Sequence, residues 1–443
     1  MFTVILTGVR RSRTEWKDPT TVSLGKMSRN FSIGTAGAMP VFSYNCGLQF
    51  PLRHNRMFSR RDFLTNMSAT ALVASAVNPL LSWATDAQIA IPGKEDLIVR
   101  SYRFYDLETP VEYFRTWLTP AEHFFVRNHM HEPSTIDPAQ WKLSIGGEVE
   151  KPYTLTLAEL SRLETHAVVN TLECAGNGRA FQDPKVPGVQ WGKGAVGSGR
   201  FSGPRLRDVL ERSGVKSTGK HVMFRGLDEV PGKVPPFIRS IPIEKAMDSD
   251  TLVATHLNGA PLPKHNGFPA RALTPGWIGA ASCKWLTEIK VLEKEFEGNF
   301  MNPGYRMPNQ PVKPGEAVKP EDTHPVTALN VKSLISSPQD GSSSRSPNVH
   351  IQGVAWAGES DVTRVEVSTD GGNTWHAAEL GKERAHYAWR LFSYPWKAPK
   401  SGDYTIVSRA TDSQGRTQPA TPVWNPSGYL NNAVDQVKIH VQT

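Results

Sequence analysis

A single cysteine stands where an apolar run meets a glycine- and asparagine-rich turn, in Val169-Asn-Thr-Leu-Glu-Cys174-Ala-Gly-Asn-Gly-Arg179. A strand ending there exposes sulfur at its tip, and the glycines let another molecule approach the backbone closely. Three kinds of chemistry are open to such a residue. It is a small buried hydrophobe, or a nucleophile needing a histidine and an orienting group. Alternatively it is a soft thiolate ligand for a metal shared with other sulfurs. Arginines elsewhere in the chain supply donors that an oxyanion could use, and tyrosines and tryptophans add an O–H and an N–H. Guanidinium groups bind such anions in bidentate fashion and stay charged at any physiological pH. Their bland alternatives are surface ion pairs and core packing.

Positioning these residues takes a chain of 443 residues, which suggests two domains or more. From about residue 92 to 320 strand-like segments (141–145, 168–172, 221–224, 272–273, 286–291) alternate with helical ones at 155–162 and 206–213. Neither a dinucleotide fingerprint nor a phosphate-binding P-loop follows any strand. A proline- and charge-rich stretch, residues 312–325, reads as a linker or an extended crossing segment. Beyond it apolar residues recur at every second position, in 349–356, 362–368 and 403–409, with Asp370-Gly371-Gly372-Asn373 as a hairpin turn. Short strands at this spacing predict an immunoglobulin-like β-sandwich. The fold class expected is α+β: a mixed α/β domain over residues 91–320, then the sandwich over 321–443.

The net charge of +8 resembles a nucleic-acid cue, but residues 1–56 alone carry +6 of it. The remainder is nearly neutral and has no phosphate-binding footprint, so no nucleic-acid partner is expected. Three cysteines (Cys46, Cys174, Cys283) cannot form a disulfide framework. Ser59-Arg60-Arg61-Asp62-Phe63-Leu64 has the form of a twin-arginine export signal, and the apolar stretch 67–76 after it is too short to span a bilayer. Residues 57–90 are therefore expected to be a signal peptide directing the folded protein to the periplasm. Translation is expected to start at Met57, leaving residues 1–56 untranslated or outside the fold.

Several separated motifs, in order, are similar to those of the sulfite oxidase family of molybdenum enzymes, over roughly residues 115–440. Thr171-Leu-Glu-Cys174-Ala-Gly-Asn-Gly-Arg179 resembles the family's molybdenum-cysteine motif, and Phe125-Val126-Arg127-Asn128-His129 its pterin segment. Asn258-Gly-Ala-Pro-Leu-Pro263, Gly267-Phe-Pro-Ala-Arg271, Pro275-Gly-Trp277 and Lys284-Trp285-Leu286 follow in the family's order, with Tyr305 at the place of its active-site tyrosine. The segment 367–375 and Pro422-Val-Trp-Asn425 resemble its dimerisation domain.

The resemblance implies a molybdopterin cofactor whose molybdenum takes one protein bond, from Cys174. It implies that Phe125, Val126, Arg127, Asn128, His129, Asp228, Asn266, Arg271, Ser282, Cys283 and Lys284 hold the pterin and its phosphate. Arg127, Arg179, Trp191 and Tyr305 would line the oxyanion pocket. The activity implied is oxidation of sulfite, or a related sulfur oxyanion, to sulfate, in a homodimer with no membrane span. Electrons would leave to an external acceptor such as a c-type cytochrome, since the chain has no heme signature of its own. The same cofactor acting on a sulfane sulfur within a multi-protein complex is the nearest alternative. A non-catalytic exported binding protein and a thiol hydrolase are more distant ones. The chain departs from the family pattern in two places. His265-Asn266-Gly267 stands where many relatives have histidine directly before the glycine, which moves the contact to Asn266. Trp424-Asn-Pro-Ser427-Gly stands where the animal enzymes have an arginine, so a third positive charge is absent from that position.

Overall fold

A computed structural model describes residues 91–442. The expected signal peptide and the extension before it lie outside the described residues. Strands dominate among the described residues: the longest α-helix there, Leu206–Ser213, has eight residues, and Leu157–Leu160 and Ile243–Ala246 are single turns. Leu206–Ser213 follows the sequence expectation and buries Leu206, Val209 and Leu210 on one face. The segment expected to be helical from 155 is instead strand Tyr153–Thr156 with one capped turn after it. There the Thr156 hydroxyl accepts from Glu159 N–H while the Glu159 carboxylate accepts from Thr156 N–H, a capping box that begins the helix two residues late. Among the described residues no helix is long and apolar enough to cross a membrane.

The first region contains two larger sheets. A five-stranded sheet runs in the order Tyr153–Thr156, Lys142–Gly147, Leu286–Leu292, His221–Gly226, Ile238–Pro242, with its one parallel pair between the second and third strands. A four-stranded antiparallel sheet pairs His166–Glu173 with Val196–Gly203 and continues through His256–Leu257 to Ala260–Pro261. Gly203 belongs to this sheet because a Cβ there would come within 2.1 Å of the Val253 carbonyl oxygen.

The later residues form two sheets face to face. One holds Lys332–Ser337, Asn348–Trp356, Arg390–Lys397 and Glu379–Leu380; the other is built on Asp435–Val441, Gly402–Asp412 and Val362–Ser368. Their inward residues, among them Ile335, Ile351, Val365, Ile406 and Val437, make one buried cluster. The hairpin expected at 370–373 is present, with Val367 opposite His376. Gly371 and Gly372 adopt φ of 73° and 99° there, and the Asp370 carboxylate accepts from the N–H groups of Asn373 and Thr374. The stretch expected to be a linker ends in strand Thr323–Pro325, paired with Arg306–Pro308. A second cluster crosses from one region to the other, joining Leu143, Phe224 and Ile289 to Leu334, Trp356 and Trp389.

Candidate active site

Strand His166–Glu173 delivers Cys174 to a tight turn. Cys174 N–H donates to the Ala195 carbonyl at 2.9 Å, and its own carbonyl accepts from Asn177 N–H at 2.9 Å. The thiol is buried and free, as is that of Cys283. Burial pushes the Cys174 thiol above its usual range, with Arg127 and Arg179 opposing.

The neighbouring acid, Glu173, anchors that turn. Its carboxylate accepts from Asn177 Nδ2 at 2.9 Å, Lys332 Nζ at 3.0 Å and Trp356 Nε1 at 2.8 Å, all buried. Lys332 and Trp356 belong to the later region, so the sandwich helps fix the strand end that carries the cysteine.

Two cavities meet at this point. The inner one is walled by Phe125, Asn128, Asp228, His265, Asn266, Arg271, Ser282, Cys283 and Lys284. The outer one opens past Asp106, Gly176, Arg179, Gly188, Ser427 and Tyr429. Arg127, His129, Cys174 and Tyr305 line both.

Each shared residue is held by particular partners. Burial opposes the charge of Arg127, but the groups around it, Asp106 first, whose Oδ1 accepts from its Nη1 at 3.1 Å, together more than offset this and raise its pKa. Burial and the charges of Arg127, Arg239 and Lys284 push His129 well below the usual imidazole range, so it is neutral. Its Nε2 is hydrogen-bonded to the Tyr305 hydroxyl. Burial raises the Tyr305 pKa beyond that of a free phenol, leaving the proton in place to be donated. The guanidinium of Arg179 donates from Nε to the Ser427 carbonyl and from Nη1 to the Val189 carbonyl, each at 2.9 Å. It lies in a notch between two glycines: a Cβ at Gly176 would be 2.6 Å from its Cζ, and one at Gly188 2.8 Å from Nη1.

These positions accompany a clear likeness to known proteins. Residues 129–300 match the oxidoreductase molybdopterin binding domain, and residues 323–442 match the Mo-co oxidoreductase dimerisation domain. The chain is 36% identical over 361 residues to mitochondrial sulfite oxidase of Rattus norvegicus, covering 78% of this chain and 66% of the relative. It is 35% identical over 358 residues to sulfite oxidase of Gallus gallus, covering 77% of each. The chain belongs to the sulfite oxidase family. The crystal structure of the sulfane dehydrogenase SoxCD from Paracoccus pantotrophus superposes with a TM-score of 0.66 at 27% identity, over 80% of this chain and 91% of that one. The chain spans about two thirds of the length of the rat sulfite oxidase.

The inner cavity fits the molybdopterin of the sulfite oxidase family. Arg271 Nη1 and Nη2 donate to the carbonyls of Asn266 and Ser282 at 3.0 and 2.7 Å. Burial without a carboxylate partner lowers the Arg271 pKa to about 10, which is the setting in which a phosphate is a favourable counter-ion. Lys284 Nζ donates to Asn128 Oδ1 and to the His265 carbonyl. Burial pushes its ammonium down and the Asp228 carboxyl up, the opposite charges partly offsetting this. Asn128 Nδ2 and Asn266 Oδ1 are buried without partners in the protein. A donor and an acceptor left open on the walls of one cavity suit a heterocycle that carries both. Among the described residues no group of three His, Cys, Asp or Glu side chains is placed to hold a metal.

Two expected site residues lie elsewhere. Val126 is buried among Ile91, Leu97 and Leu107, and its N–H and carbonyl pair with Leu107. Its segment is extended, so Phe125 and Arg127 face the cavity while Val126 faces away. Trp191 is fully buried in the cluster that contains Phe124, Phe125 and Cys174, and lines neither cavity. Its carbonyl accepts from Ala180 N–H, and its Nε1 has no partner in the protein. His265 and Asn266 both face the inner cavity, and His265 Nδ1 bonds Glu132 at 2.8 Å. Ser427 offers only its carbonyl, to Arg179. Sequence reasoning passed over Asp106, Tyr429 and Arg239, which carry no motif; only their long-range contacts mark them.

Proposed function

We propose that this chain oxidises sulfite to sulfate and passes two electrons to an external acceptor such as a c-type cytochrome. The observation that carries this reading is the convergence of Arg127, Arg179 and Tyr305 on one mouth, with the Cys174 thiol at its floor. When bound, the molybdenum centre supplies oxygen transfer to sulfur and accepts two electrons, with the balance SO₃²⁻ + H₂O → SO₄²⁻ + 2H⁺ + 2e⁻. The protein's part is binding and orientation. Asp106 keeps Arg127 charged and aimed, and the glycine notch fixes Arg179, so a dianion meets two preset guanidinium groups. Neutral His129 holds the Tyr305 hydroxyl at the junction of the two cavities, where the phenol can turn its proton toward an anion's oxygen.

The later region is proposed to be an immunoglobulin-like sandwich that joins two copies into a homodimer. The twin-arginine motif supports export to the periplasm after cofactor loading in the cytoplasm. Residues 57–90 are proposed as the signal, with domains at 91–320 and 321–443. The test is molybdenum analysis of the purified mature protein with sulfite-dependent cytochrome c reduction on the same sample. About one molybdenum per chain with turnover is expected. Molybdenum without sulfite turnover would move the substrate to a sulfane sulfur carrier, the reading that the likeness to SoxCD favours. Absence of molybdenum would sink both.

A further inference from the structure

Arg239 lies on the edge strand Ile238–Pro242, is 3% exposed, and has no carboxylate within salt-bridge distance among the described residues. Glu295, the acid nearest in its electrostatic effect, is 3.9 Å from Arg306 instead. Arg239 donates from Nη1 to the Phe300 carbonyl, while its Nε is buried with no partner. Burial lowers its pKa, with Tyr305 the leading opposing influence. A buried cation without a counter-ion is costly, and groups in that state gather where a charge is used.

Its surroundings show the use. The Arg239 Cζ is 4.9 Å from the centroid of the Tyr305 ring. Tyr305 stacks on Tyr429 with centroids 5.4 Å apart and planes within 6°. Tyr429 in turn has the Arg179 Cζ 5.4 Å from its centroid. A guanidinium therefore stands at each end of two parallel rings. The Arg179 end and both rings line the outer mouth, whereas Arg239 lies behind the wall. Ring faces attract cations, so each contact holds the next in place.

We propose that Arg239 is a positioning residue that sets oxyanion affinity without touching the anion, by clamping the Tyr305–Tyr429–Arg179 stack and adding a third positive charge behind it. The proposal rests on the reading of the outer mouth as an oxyanion site. It gives that mouth a further charge in a chain whose residue 427 is serine.

The test uses the molybdenum-loaded protein with Arg239→Met and Arg239→Lys, read by sulfite kinetics and by the rise in Tm that added sulfate produces. Arg239→Met is expected to raise the sulfite KM about tenfold, the order for one charge in a partly screened site, with kcat changed far less. The sulfate-induced rise in Tm should shrink in parallel, while molybdenum content stays at the wild-type level. Arg239→Lys should recover most of the affinity. A wild-type KM and sulfate response in Arg239→Met would overturn the proposal, as would a lysine variant no better than the methionine one, which would mean packing alone. Should the methionine variant lose molybdenum, Arg239→Gln replaces it under the same criteria. If the wild type responds to sulfate but does not oxidise sulfite, and Arg239→Met loses that response, the substrate reading fails and this inference stands. If the wild type neither oxidises sulfite nor responds to sulfate, both fail.

Discussion

The inner and outer cavities share four side chains yet are built on different plans. In the inner one the cations are tied to backbone carbonyls, Arg271 to Asn266 and Ser282 and Lys284 to His265, and two amide atoms are left open. Nothing there neutralises Arg271, whose pKa is drawn down by burial. In the outer one, Arg127 has a carboxylate partner in Asp106 and Arg179 sits in a notch formed by glycine. The first arrangement is incomplete without a resident group. The second is complete by itself and fits an anion that comes and goes, because its charges are already fixed before the anion arrives. The boundary between them is Cys174 with Arg127, His129 and Tyr305.

The sharpest way to break that comparison is at the boundary. Cys174→Ser replaces the one thiol that faces both cavities among the described residues with a hard, weakly acidic hydroxyl. Turnover is expected to fall by about three orders of magnitude or more, together with loss of the wild-type molybdenum signature, measured by metal analysis and electronic absorption. A fully active serine variant would remove Cys174 from the site. Next in size is Lys332→Met, which leaves Glu173 buried with an uncompensated charge one residue from Cys174. Breaking such a pair costs about 3–5 kcal/mol, to be read by denaturant unfolding. Replacing both partners, in Lys332→Met with Glu173→Gln, should recover a large part of that loss. An additive double variant would mean that the pair is not coupled.

What the sequence made legible follows from where the information lies. Cys174 and Arg179 could be found because both sit in one contiguous motif whose glycines and asparagines the turn requires, and Arg127 because it sits in the contiguous segment Phe125–His129. Leu206–Ser213 and the alternating strands could be found because one face of each is buried locally. Asp106, Tyr429 and Arg239 could not, since their partners are 21, 124 and 66 residues away along the chain and nothing near them announces the contact. Val126 and Trp191 went the other way. They stand within or beside motif segments, but Val126 faces away in an extended segment and Trp191 packs into the core, so neither lines a cavity. The Glu173–Lys332 pair was hidden for a further reason. It links the cysteine turn to a region that periodicity describes only as a sandwich, and the shared core containing Trp356 and Trp389 has no local signal.

Smaller effects separate the two plans without destroying either. Arg179→Met removes a charge from the outer cavity alone. It should raise the sulfite KM by about tenfold or more, roughly 1.4 kcal/mol or above, through lost charge-assisted hydrogen bonds. Molybdenum content should not change. An unchanged KM would take Arg179 out of substrate binding, and a loss of molybdenum would mean that the two cavities are not independent.

The smallest effect concerns the support behind the segment that enters both cavities. Lys94 Nζ donates to the carbonyls of Ala121 and Phe124 at 2.6 and 2.7 Å, just before Phe125 and Arg127. Burial lowers its pKa to about 7, with Glu122 opposing. The ordinary value for a lysine in an unfolded chain is 10.5, so between these two pH values the unfolded chain binds a proton that the folded chain does not. Stability from this residue must therefore rise with pH across that window and be lowest below pH 7. Moving from pH 7 to 9 should raise the Tm of the wild type more than that of Lys94→Met, by about 3 °C for a chain of this size. Equal slopes would show that Lys94 keeps its proton in the fold. The two carbonyls would then be held by an ammonium, and the support behind Arg127 would be a buried charge, as it is behind Tyr305.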